Sequence, residues 1–116
     1  MKLEEFFRCT CVSYEDAKAR FQSDERIIRF LRMLPGDDSM DNLTAAVEAN
    51  DPQTAFRAAH TLKGVALNLG LTALAERSSA MTEALRDKDV MPEPAMYESV
   101  LREYRRAREA LDELEL

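Results

Sequence analysis

Chain breakers fall at Pro35-Gly36, Asp51-Pro52, Gly70 and Pro92 with Pro94, and each stretch between them repeats apolar residues at three and four. That spacing belongs to amphipathic helices. The chain is thereby limited to helices too short for a continuous coiled coil and joined by tight connections. The segment from Asp51 to Gly70 is the most sharply bounded. Asp51 supplies an N-cap side chain, Pro52 suits the first helical position, and Gly70 suits a left-handed stop.

The same logic places the other helices. Ser13, with Asp16 at the third position, opens an N-terminal helix carrying Tyr14, Ala17 and Phe21 on one side. Ser23 or Asp24 caps the next, which carries Ile27, Phe30, Leu31 and Leu34 at helical spacing and stops at Pro35-Gly36. Asp37, Asp38 and Ser39 lead a helix striped by Met40, Leu43, Ala46 and Val47 up to Asn50. After Gly70, Thr72 caps a helix striped by Leu74, Ser78, Met81 and Leu85, and the polar loop Arg86-Asp87-Lys88-Asp89 follows. The last helix comes after Pro94 and repeats Tyr97, Val100, Leu101, Tyr104, Ala107, Leu111 and Leu114. Short connections make successive helices antiparallel neighbours. The prediction is an all-α, up-and-down four-helix bundle with one or two short N-terminal helices capping one end.

Composition agrees. Only 3 Gly and 4 Pro in 116 residues, with 46% hydrophobic and 33% charged, suit a helical domain with a solvated surface. The chain is too short for a second core, so one domain is expected over 1–116, its core at about 13–115 and an arm at 1–12. A net charge of −6 repels phosphate backbones and anionic membranes, so neither nucleic acid nor a membrane is expected as a partner. No apolar run is long enough for a signal or a span, and the expected location is cytoplasmic. Cys9 and Cys11 lie too close in sequence for a useful disulfide, and a single His leaves a structural zinc short of ligands. No metal site is expected.

One helix carries the chemistry. On a wheel at about 100° per residue with His60 at zero, Ala55, Ala58, Leu62, Val65, Ala66 and Leu69 fall between roughly 140° and 240°. His60 points away from this inward arc. Around it on the outer face lie Lys63, Arg57, Gln53 and Gly64. Phe56 and Leu67 also fall on the outer stripe, as an apolar patch that a partner would cover, unless a neighbouring short helix covers one of them. A glycine inside an exposed helix costs about 1 kcal/mol relative to Ala, so Gly64 is read as clearance for something that approaches His60. An exposed imidazole is a nitrogen nucleophile toward phosphorus, and Lys63 suits the oxygens of a phosphoryl group, with Arg57 as a second cation.

The run Ala58-Ala59-His60-Thr61-Leu62-Lys63-Gly64, continued by Asn68-Leu69-Gly70, resembles the signature of histidine-containing phosphotransfer (HPt) domains. The resemblance extends to the Asn50-Asp51-Pro52 helix start and the helix after Gly70, over roughly residues 13–115. It implies an intermediate in a multistep phosphorelay that accepts a phosphoryl group from a receiver-domain aspartyl phosphate and passes it to another receiver. In that family pattern His60 is the phosphoacceptor, Lys63 stabilises the phosphate and Gly64 gives the receiver access. Gln53, Phe56, Arg57 and Leu67 are read from the wheel as partner-binding positions. The Pro35-Gly36 break departs from the family, where one longer helix is often found.

The implied partners are response-regulator receiver domains and a sensor histidine kinase, and the protein is expected to be a monomer. No nucleotide-binding glycine loop is present, so autonomous kinase activity is not expected. Transfer between Asp and His calls for Mg²⁺, which is expected on the partner receiver rather than as a cofactor here. A receiver- or kinase-docking adaptor or inhibitor with the same bundle and no phosphate turnover is the alternative, but such an adaptor has no need of the nucleophile. A kinase substrate domain phosphorylated directly in trans shares the same His and would be labelled by kinase alone.

Overall fold

The computed structural model describes residues 5, 6, 19 and 23–113, and within them every regular element is helical. The helices begin and end where local chemistry satisfies their free backbone groups. Helix α1 spans Asp24–Leu31, and the Ser23 hydroxyl accepts a hydrogen bond from the Arg26 N–H at 3.3 Å. A single 3₁₀ turn over Leu34–Gly36 then breaks the chain. Helix α2 spans Ser39–Glu48, α3 Pro52–Leu69, α4 Thr72–Leu85 and α5 Pro94–Asp112.

The two ends of α3 are the most firmly fixed. Asp51 accepts from the Thr54 N–H at 3.2 Å and from the Thr54 hydroxyl at 2.6 Å. Just before it Asn50 takes φ 52°, which lets the Asp51 N–H donate to Ala46 O at 2.9 Å and closes α2. Gly70 does the same for α3 at φ 74°, with the Leu71 N–H donating to Ala66 O at 2.8 Å. A side chain at Gly70 would be strained in that left-handed region.

Helices α2, α3, α4 and α5 form the closed ring that the sequence predicts. Each packs on its successor and α2 also meets α5, where the Thr44 and Tyr97 hydroxyls share a 2.8 Å hydrogen bond. The broadest contact is between α3 and α4. Ala55, Ala58, Ala59 and Ala66 are buried on α3, and Ala75 and Ser78 on α4. Small residues on both faces let two helix axes come close. Leu43, Leu62, Leu74, Met81, Leu85 and Val100 fill the centre, and each such buried side chain contributes about 1.5–3 kcal/mol. Helix α1 lies against α3, with Ile27 and Leu31 buried.

Several sequence expectations change. Thr72 is the first residue of α4 and not its cap, because Leu71 takes the N-cap position and no side chain bonds there. At α2 the Asp37 carboxylate accepts from the Ser39 N–H at 3.0 Å, while Asp38, at the N-cap itself, makes no capping bond. Phe30 does not join the inward stripe of α1 and is 40% exposed, since Ile27 and Leu31, four apart, already take the buried face. Val65 and Val47 are only partly buried. Of the helix expected from Ser13 only residue 19 is described, and Cys9, Cys11 and Leu114 lie outside the described residues.

The Asp51 cap gives α3 a pH dependence. Its carboxyl is held below the ordinary range mainly by the Thr54 hydroxyl, then by the Thr54 backbone N–H, with Arg57 also helping. The folded state therefore binds a proton at this site less readily than the unfolded chain, and the cap's contribution is complete above the unfolded carboxyl pKa and lost as pH falls through the folded one. Asp51→Ala is expected to lower the thermal midpoint by about a few degrees at pH 7, and by less at pH 3, below the unfolded carboxyl pKa. Thermal melts of both proteins at both pH values check this.

Candidate functional site

Burial of the alanine face of α3 forces the opposite face outward, and His60 lies on it, exposed. Side chains on a helix lean toward its N-terminus, so the His60 imidazole lies over the preceding turn. There it meets Phe56, with ring centroids 6.2 Å apart and planes 7° from parallel, an offset stack. On the C-terminal side stands Gly64, exposed, and a Cβ built at Gly64 meets nothing within 4 Å. The glycine packs against no neighbouring helix. One flank of the imidazole is thus supported by a ring, and the other is open.

Lys63 is half-buried and lines a shallow groove between α3 and α4 with Leu67, Gly70 and Glu76. Leu67 is 51% exposed, in agreement with its place on the outer stripe. Arg57 is exposed, but its Nη2 donates to Thr54 Oγ1 at 3.2 Å, one turn toward the helix start. Its guanidinium is drawn to the Asp51 end of α3. Gln53 is exposed and shares a surface cleft with Phe56, Arg57 and Arg86. Phe56 is half-buried and packs against the core, and the Arg86 guanidinium lies 5.2 Å from its ring centroid.

Arg86, expected from the sequence only as the start of a polar loop, joins this face together with Glu83 of α4. Nε and Nη2 of Arg86 donate to the two oxygens of Glu83, each at 3.0 Å. That hydrogen-bonded guanidinium holds the Glu83 carboxyl below its usual range, and the charges of Lys63 and His60 act in the same direction. The spacing of Glu83 and Arg86 predicts their pairing. It does not predict that α4 lays them beside His60, which needs the α3–α4 contact.

The family model of the Hpt domain matches residues 29–115. The chain belongs to the Hpt domain family. No curated protein and no solved structure matches it. Hpt domains serve phosphotransfer in phosphorelays and interact in general with receiver domains and kinases, and the helical bundle described above agrees with that fold. Among the described residues no group of His, Cys, Asp and Glu could hold a metal ion, and no helix is long and apolar enough to cross a membrane.

The open space at Gly64 separates stability from access. Gly64→Ala is expected to raise stability by about 0.5–1 kcal/mol through better helix propensity and lower unfolded-state entropy. Gly64→Gln should cost the fold little. Both should slow phosphate transfer from a phosphorylated receiver, the larger side chain more. Thermal midpoints and transfer rates measured on the same three proteins check it, and undiminished transfer in Gly64→Gln would remove the clearance role.

Proposed function

We propose that this Hpt domain is a phosphorelay intermediate whose His60 accepts a phosphoryl group from the aspartyl phosphate of one receiver domain and returns it to the aspartate of another. The observation that carries this reading is an exposed imidazole at mid-helix with an empty flank at Gly64. The unprotonated imidazole nitrogen attacks phosphorus, an N–P bond forms, and the P–O bond to the receiver's aspartate breaks with the electron pair leaving on the carboxylate. Return transfer reverses these steps.

Lys63 supplies the nearby positive charge for the phosphoryl oxygens, and its half-buried stem limits the arc its ammonium can sweep. Gly64 admits the receiver's loops. Leu67, Gln53, the exposed edge of Phe56 and Arg57 form the surrounding surface that the receiver covers, with a sensor histidine kinase upstream as the source of phosphate. Charge neutralisation during Asp-to-His transfer falls to Mg²⁺ held by the receiver.

His60→Gln is expected to leave the thermal midpoint nearly unchanged and to abolish acid-labile, base-stable phosphate incorporation from a phosphorylated receiver. Retained labelling in that variant would move the acceptor elsewhere. Lys63→Ala should still dock but transfer roughly tenfold more slowly or worse, with a shorter phosphohistidine lifetime. Quench-flow transfer assays and decay of the isolated phosphoprotein measure both.

A further inference from the structure

A histidine on an exposed helix face normally samples several rotamers, and Gly64 offers His60 no wall on its C-terminal side. What fixes the ring comes from the other side. His60 stacks on Phe56, Phe56 lies under the Arg86 guanidinium, and Arg86 is held by both oxygens of Glu83. We propose that Glu83 and Arg86 are positioning residues for His60: they pin the Phe56 ring, which in turn holds the imidazole at one angle to the incoming phosphoryl group. The inference rests on the proposed role of His60 as acceptor.

Three features of the backbone support a built clamp. Arg86 is the residue at which α4 ends: its φ of −59° is still helical and keeps its side chain on the same face as Glu83, three residues back, while its ψ of 120° turns only the chain that follows. Its own N–H donates to Glu83 O at 3.3 Å, which ties the two residues by main chain as well as side chain. Asp87 then takes φ 56°, turning the chain away and leaving the guanidinium over the ring. The bidentate bond also matters, because it fixes the plane of the guanidinium where a lysine would fix only a charge.

The sequence contains a single His, so its ring resonances report the clamp directly in the unphosphorylated protein. The test compares the full chain with Arg86→Ala, Glu83→Gln and the double variant, using imidazole NMR and the rate of phosphohistidine formation from phosphoramidate, a small donor that needs no docking surface. Expected are a shift of the His60 ring signals toward unstructured values in both single variants, unchanged thermal midpoints, and rates lower by roughly three- to tenfold. The double variant should be no worse than Arg86→Ala alone, since the residues act in series. Arg86→Lys should recover part of the ring shift, and no recovery would break the cation–ring step. Unmoved ring signals would overturn the proposal. So would opposite effects, with Glu83→Gln faster and Arg86→Ala slower, because these would make the pair a source of charge rather than of position. Labelling of His60→Gln would instead refute the acceptor assignment and leave the ring-shift result standing by itself.

Discussion

The contact between α3 and α4 is the constraint on which the rest of this molecule depends. Four alanines on α3 and the small residues Ala75 and Ser78 on α4 are buried, and the packing of the two helices brings the end of α4 beside Phe56. Ala55, Ala59 and Ala66 are fully buried, and a leucine in place of any of them would overfill the packed interior. The face that carries His60 is therefore set by what lies on its back. An exposed nucleophile on a rigid helix needs a strongly buried opposite side, and Leu62 and Ala66, both fully buried, provide it.

Around His60 the structure divides its labour between opening and support. Gly64 lowers helix propensity where a side chain would obstruct an approaching domain. Phe56 does the opposite on the other flank, burying part of its ring to give the imidazole a surface to rest on. The charges follow a similar division: Lys63 lies along the α3–α4 groove, whereas Arg57 and Arg86 are engaged by Thr54 and Glu83. A chain of net charge −6 can thus present a locally basic spot to a phosphorylated partner without being basic overall.

Much of this was legible in the residues. The α3 boundaries follow from Asp51-Pro52 and Gly70 because capping and left-handed termination are local chemistry, complete within a few residues. The outward direction of His60 and Gly64 follows from the wheel because the helix is long and its apolar arc is continuous. Local signals failed where a tertiary neighbour competes. Thr72 has the right side chain for a cap, but the chain already leaves Gly70 through Leu71, which is buried and takes the cap position. Phe30 fits the α1 period yet is partly exposed, since α1 is short and two residues suffice to bury its narrow face on α3.

The sequence by itself determined the helices, their amphipathic faces and the place of His60, Lys63 and Gly64 on one outer stripe, because helical periodicity makes neighbours of residues three and four apart whatever the chain does elsewhere. Only the tertiary structure decided what stands beside that stripe. Glu83 and Arg86 are more than twenty residues further along the chain, and no local rule relates them to Phe56. Their position comes from the packing of α4 on α3, which brings the end of α4, where Arg86 lies, to the Phe56 ring.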